Sequence, residues 1–234
     1  MFTFHAPPER FTESGIVLTG DEYRHATRAA RVAVGDRIAV TDGCGRRVEA
    51  RIDTIDAESL TAVETADLSG LGESTRIVTL ALALIQPRRF EQAVEQCTEI
   101  GVRRFVPLIA ERCEVRPERI RRDRLESIVL SAAKQAGRSW LPEVGDPVSA
   151  ADAAAEIGGT AFLCTGDAGR SLVSAAAALA PDAPVTVIVG PEGDFTPEER
   201  DRFLAAGAEP VSLGGLVLRS ETAAAVAVSA CCTA

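Results

Sequence analysis

From residue 77 onward, short runs that are apolar at nearly every position alternate with segments of helical period. The first run, residues 77–85, is followed by Phe90, Val94, Cys97 and Ile100, spaced three or four apart and closed by Gly101. The run 105–110 precedes a long arginine-rich helix predicted over residues 117–136. The run 161–164 precedes a helix near 172–179, the run 185–189 one starting at Pro197, and the run 210–213 a terminal helix from about Ser220. A strand apolar on both faces has to be covered on both faces. Helices between successive strands do this, so the second half is predicted to be α/β with a mostly parallel sheet.

The first half has a different texture. Ile16, Val17 and Leu18 read as a short strand, and Thr19-Gly20-Asp21-Glu22 has the pattern of a capping box opening a helix to about Arg31. Gly35-Asp36 then turns the chain into three alternating runs, 37–42, 46–55 and 60–65, separated by residues 42–45 and 56–59. This is an antiparallel meander, and a small barrel is its simplest closure. Residues 67–74 hold two glycines and no period, which makes them a linker. Two domains are predicted, 1–72 and 73–234.

Six cysteines (Cys44, Cys97, Cys113, Cys164, Cys231 and Cys232) are scattered without a CxxC pair, which points to reduced thiols, a cytoplasmic location and no metal site. The opening MFTFHAPPER has no basic and apolar leader pattern, and charges interrupt the alanine-rich runs, so neither export nor a membrane partner is expected. A net charge of −9 at first opposes a nucleic-acid partner. The distribution is uneven, however: residues 86–138 carry 12 basic and 8 acidic groups, and seven arginines lie from Arg24 to Arg51. Arginine forks suit phosphates and base edges, although ordinary solvated faces account for the same charges.

Ligands of parallel α/β sheets gather outside the carboxyl ends of the strands, so the loops after Cys164, Val189 and Leu213 are the candidates. The first begins with Thr165 and Gly166 and is generic. The second, Gly190-Pro191-Glu192-Gly193-Asp194-Phe195, sets two glycines around a rigid proline ahead of a complete helix start at Thr196-Pro197-Glu198-Glu199. A tight turn alone accounts for its glycines; a ligand approaching the backbone accounts for them equally well. The third runs Leu213-Gly214-Gly215-Leu216-Val217-Leu218-Arg219-Ser220-Glu221. Arg219 at a helix entrance is opposed by the dipole and calls for a carboxylate, a phosphate or a ligand. No GxGxxG fingerprint follows any predicted strand.

Residues 190–194, with Leu213-Gly214 and Leu218-Arg219-Ser220-Glu221-Thr222-Ala223, resemble the paired signature of the RsmE-type methyltransferases of the SPOUT superfamily. Further similarities run in order along the chain: His25, Arg28 and Arg31 with Gly35-Asp36, then Glu99-Ile100-Gly101-Val102, Pro107-Leu108, Glu111-Arg112-Cys113, and Gln135-Ala136-Gly137-Arg138 with Pro142. The chain departs from the family pattern at Gln96, Asp194, Leu216 and Ala29-Ala30. The resemblance implies a PUA-like RNA-binding β-barrel followed by a SPOUT trefoil-knotted domain. It also implies a homodimer, S-adenosyl-L-methionine as cofactor, and methylation at N3 of one uridine in 16S ribosomal RNA of the small subunit. On this basis Thr165, Gly190, Glu192, Gly193, Leu213, Gly214, Leu218 and Arg219 are the expected cofactor contacts. Arg219 and Glu221 are the expected catalytic pair, one stabilising the uracil anion and the other accepting or orienting. Arg24, Arg28 and Arg31, three or four apart on one predicted helical face, are expected to meet RNA, as are Arg88 and Arg138, with Arg89 beside the same loops. Two rivals remain: a SPOUT enzyme acting on tRNA or another ribosomal RNA position, and a noncatalytic RNA-binding assembly factor.

Overall fold

The computed structural model describes residues 1–156 and 159–233 and divides the chain into two compact units. One is built from Met1–Glu73 together with Leu130–Leu141, the other from Ser74–Val129 and the chain from Pro142 onward.

In the first unit, β1 (Thr3–His5), β2 (Phe11–Thr12), β3 (Gly15–Thr19), β4 (Arg37–Thr41), β5 (Arg47–Ile55) and β6 (Ser59–Asp67) form one sheet in the order β1-β4-β5-β6-β3-β2. β1 is parallel to β4 and all other pairings are antiparallel, so the meander read from the sequence is β4, β5 and β6. The alternate residues Ile38, Val40, Val48, Ile52 and Leu60 are fully buried and join Phe4 and Leu18 in one core. Each such side chain contributes on the order of 1.5–3 kcal/mol. The end strands β1 and β2 are not paired with each other, so among the described residues the sheet wraps its core without closing by backbone hydrogen bonds. Gly45, at φ 116°, lies where a Cβ would meet Trp140 Cζ2 at 2.5 Å; the turn between β4 and β5 admits only glycine there.

The helix expected up to Arg31 is shorter and irregular. It runs as α1 (Gly20–Arg24), continues as a π-helical turn over His25–Ala29, and leaves Arg31 at φ 55°. The expected capping box is absent. Thr19 makes no side-chain cap, and Glu22, which would supply the reciprocal half, is taken by tertiary partners: its carboxylate accepts the backbone N–H of His5 at 3.1 Å and the ammonium of Lys134 at 2.6 Å.

The second unit contains β7 (Val78–Ala83), α2 (Pro87–Ile100), β8 (Arg104–Ile109), α3 (Arg122–Ala136, of which Leu130 onward clusters with the first unit), β9 (Glu143–Val144), β10 (Val148–Ser149), α4 (Ala150–Ala155), β11 (Thr160–Cys164), α5 (Leu172–Ala177), β12 (Val185–Val189), α6 (Pro197–Ala205), β13 (Glu209–Val211) and α7 (Ser220–Cys232). The sheet order is β10-β8-β7-β12-β11-β13, with β9 also on β8, and every pairing is parallel. Ala81, Ala83, Leu163 and Ile188 belong to a core shared with Phe195 and Phe203. Leu80, Leu82 and Val187 alternate with them and are equally buried, so both faces are covered. α7 packs on β7, β12 and α2. The expected helix over 117–136 is broken: a 3-10 turn at Pro117–Arg119 is followed by extended backbone at Ile120 before α3 begins. Arg76 is fully buried and, among the described residues, donates to the carbonyls of Cys231 (2.9 Å) and Ala180 (3.0 Å), the former at the end of α7.

Candidate active site

β12, β11 and β13 are neighbours and parallel, so their carboxyl ends deliver three loops to one edge of the sheet. Backbone hydrogen bonds lace the loops after β11 and β13 together. Thr165 N–H donates to Val211 C=O (2.9 Å), Ser212 N–H to Arg170 C=O (2.8 Å), and Leu172 N–H to Ser212 C=O (2.9 Å). Between them opens a cleft of about 430 Å³, within the range of roughly 300–1,000 Å³ that holds cofactor-sized ligands. Its walls mix apolar side chains (Val189, Leu213, Leu218) with glycine backbone and the charged groups of Glu192, Asp194 and Arg219.

Each loop has a local reason for its shape. In the loop after β12, Asp194 N–H donates to Pro191 C=O at 3.0 Å, closing a tight turn. Asp194 sits at φ 59°, and its carboxylate accepts the N–H of Phe195 at 2.8 Å. Aspartate tolerates this left-handed position because its short side chain bonds locally. Asp194→Gly is expected to hold stability within about 1 kcal/mol, whereas Asp194→Val is expected to lose about 2 kcal/mol or more. Urea unfolding of the two variants checks this, and equal stabilities count against the strain. The capping box predicted at Thr196 and Glu199 is present, and Glu199 also accepts the N–H of Glu111 at 2.8 Å, tying the loop after β8 to the start of α6. In the loop after β13, Gly214 has φ 126°, and its N–H donates to Ser212 Oγ at 3.1 Å.

Of the expected cofactor contacts, Thr165, Gly190, Glu192, Leu213, Gly214, Leu218 and Arg219 line the cleft. Gly193 does not. Its C=O accepts from the Arg112 guanidinium at 2.9 Å, and a Cβ there would meet Arg112 Cβ at 3.2 Å, so this glycine is turned toward the loop after β8. The expected catalytic pair is split. Arg219 lines the cleft, is exposed, and has among the described residues no hydrogen-bonding or ionic partner for its guanidinium, although it is the N-cap of α7. Glu221 is not a lining residue: its side chain is 8% exposed and stands 3.8 Å from Arg89. A carboxylate in the first turn of α7 is favoured by the dipole and, once buried, needs a cation, so it turns to Arg89 rather than into the cleft.

Several cleft residues are not among the expected cofactor contacts, including Cys164, Pro191, Val217 and Ala223. Burial pushes the Cys164 thiol up to about 12, with the neighbouring Cys231 adding to the shift, so it stays protonated and serves as wall. Leu216 and Val217 belong to the cleft yet are among the most exposed apolar side chains of the protein.

The expected RNA contacts divide as well. Arg28, Arg31 and Arg88 are exposed without ionic partners among the described residues, and Arg24 is exposed beside Asp21. Arg31 lies beyond the helical turns, so the single helical face inferred from the spacing is not formed. Arg138 is not an open cation. It is 5% exposed and donates to Glu73 at 2.9 and 3.3 Å, while the same carboxylate accepts the N–H groups of Ser139 (2.7 Å) and Trp140 (3.2 Å). Its charge is neutralised inside the first unit.

Comparison with known proteins matches residues 73–232 to an RNA methyltransferase domain family and residues 18–65 to an RNA methyltransferase PUA domain family. Ribosomal RNA small subunit methyltransferase E of a Synechocystis species is 32% identical over 95% of this chain and 74% of its own length. The protein of that name from Mycobacterium tuberculosis is 32% identical over 92% and 84%. Among solved structures, ribosomal RNA small subunit methyltransferase E from Neisseria gonorrhoeae, bound to S-adenosyl methionine, is similar with a TM-score of 0.86 and 27% identity, covering 98% of this chain and 96% of that one. A probable rRNA methyltransferase from Porphyromonas gingivalis is similar with a TM-score of 0.82 and 33% identity, over 97% and 95%.

Proposed function

This chain belongs to the ribosomal RNA small subunit methyltransferase E family, and on that premise we propose that it methylates N3 of a uridine in 16S ribosomal RNA with S-adenosyl-L-methionine as donor. The observation that carries the reading is the convergence of three glycine-rich loops, from adjacent parallel strands, on one cleft that holds an unpaired arginine. The donor set fits the cofactor. Apolar walls suit its adenine and methylene parts, backbone groups of the glycine turns suit the purine edge, Glu192 and Asp194 offer negative charge to its cationic end, and Arg219 offers positive charge to its carboxylate or to the acceptor base. When bound, the cofactor supplies a methyl already activated on a sulfonium.

The protein's own task is to orient the base, exclude water and manage a proton. Uracil N3 is protonated at neutral pH and becomes a nucleophile once that proton has passed to solvent, so the resulting anion requires a nearby positive group while the methyl moves from sulfur to N3. Arg219 is assigned that role, and Glu221 supports the cleft from behind it. N3 lies on the pairing edge, so the target base has to be unpaired or flipped out before reaction. Arg24, Arg28 and Arg31 of the first unit and Arg88 of the second are assigned to the RNA backbone; Arg138 is excluded from that set by its burial. The protein is assigned to the cytoplasm and to a homodimer, the latter supported by the exposed Leu216 and Val217 in the cleft loop.

Calorimetry with S-adenosylhomocysteine is expected to give micromolar binding, and nucleoside mass analysis of 16S ribosomal RNA from cells lacking the protein is expected to show loss of N3-methyluridine at one position. Absence of binding favours a noncatalytic assembly factor. Loss of a different modified nucleoside moves the target.

A further inference from the structure

Arg89 lies in the first turn of α2, where the helix dipole disfavours a cation. Two carboxylates offset that cost. Glu192 Oε1 stands 3.6 Å from its Nη1, and Glu221 Oε1 stands 3.8 Å from its Nε. Glu192 belongs to the cleft-lining turn after β12, and Glu221 follows directly on Arg219 and Ser220, which line the same cleft from the start of α7. One guanidinium thus touches two elements that shape the cleft and anchors both to a third. Glu221 makes this contact while buried, and its Oε2 has no hydrogen-bond partner, so Arg89 is the neutralising group for a carboxylate that burial leaves otherwise unsupported.

From these contacts we propose that Arg89 is a positioning residue of the cofactor cleft, holding the Glu192 turn and the first turn of α7 in the spacing that the methyl donor meets. The inference rests on the methyl-donor reading given above. Arg89 reaches the two carboxylates through different nitrogens of its planar fork, a geometry that a lysine ammonium cannot reproduce at both. It acts through charge on the loops and does not itself line the cleft.

The test is calorimetric titration of S-adenosylhomocysteine into the full-length wild type, Arg89→Lys, Arg89→Ala, Glu192→Gln and the Arg89→Ala/Glu192→Gln double variant, with a thermal melt of each. Arg89→Ala is expected to weaken binding at least about tenfold and Arg89→Lys by an intermediate factor, with melting temperatures close to wild type. In turnover assays the loss is expected in KM for the donor more than in kcat. In the Glu192→Gln background, Arg89→Ala is expected to cost clearly less than it does alone, because part of what it acts through is already gone. Wild-type affinity in Arg89→Ala overturns the inference, as does a fully additive loss in the double variant. If Arg89→Ala does not fold, weakened binding by folded Arg89→Lys and Glu192→Gln upholds the proposal, and undiminished binding by both overturns it. Failure of the wild type itself to bind removes the methyl-donor reading, and the inference with it.

Discussion

Arg219→Ala is expected to lower methyl transfer to ribosomal RNA by about 100-fold or more, equivalent to roughly 2.7 kcal/mol of transition-state stabilisation, while leaving the fold intact. Both halves of the expectation come from the same geometry. The guanidinium lines the cleft, is exposed, and has no carboxylate or carbonyl partner among the described residues, so its removal breaks no ion pair or hydrogen bond there. It also caps a helix at the end whose dipole repels it, so the alanine variant is expected to be as stable as the parent or more stable by a few tenths of a kcal/mol. A ligand anion or a developing negative charge is what remains for it to serve. Transfer of labelled methyl from the donor into small-subunit RNA, set beside a thermal melt, measures both. Undiminished turnover in a folded variant removes Arg219 from the chemistry, and partial recovery in Arg219→Lys identifies its charge as the working property.

Glu73→Gln is expected to be the most damaging conservative change for stability, by about 3–5 kcal/mol at pH 7. The carboxylate receives both the Arg138 guanidinium and two backbone N–H groups, and side-chain exposures of 9% for Glu73 and 5% for Arg138 leave water little access. An amide of the same shape keeps some hydrogen bonds but removes the negative charge that the buried Arg138 guanidinium meets at 2.9 Å. Against a typical net stability of about 5–15 kcal/mol, this is a large share. The pH dependence has a definite sign. Burial by itself pushes the Glu73 carboxyl up, but the hydrogen bonds and charge of Arg138 together with the Ser139 and Trp140 N–H groups outweigh it and hold the carboxyl below the ordinary value of 4.5. The stabilisation is fully present above the unfolded value and is lost as pH falls through the lower folded value. Urea unfolding is expected to show the wild type and Glu73→Gln far apart at pH 7 and converging below about pH 4.5. A gap that is constant with pH counts against the pair as its source.

Arg219 and Arg138 are both expected site residues, and the structure leaves the first exposed at the cleft and buries the second. Arg219 could be placed because its situation is local: it stands next to Ser220 and Glu221 at a helix entrance, and helix dipoles act over a single turn. The box at Thr196 and Glu199 was legible for the same reason, being a contact between residues three apart. Arg138, expected to meet RNA, is instead buried against Glu73, 65 positions away. Gly193, expected at the cofactor, turns its carbonyl to Arg112, 81 positions away. Glu221 lost its place in the cleft to an ion pair with Arg89 in another helix, and Glu22 abandoned a predicted capping box for Lys134, 112 positions off.

Periodicity along the chain by itself determined the parallel sheet, the meander and the three strand-end loops where the cleft lies, because backbone hydrogen bonding imposes periods of 2 and 3.6 that apolar residues must follow to be buried. Only the tertiary structure decided which charges face solvent, which are neutralised inside, and that Leu130–Leu141 clusters with the first unit. Electrostatic energy falls with distance through space, and chain order does not record that distance.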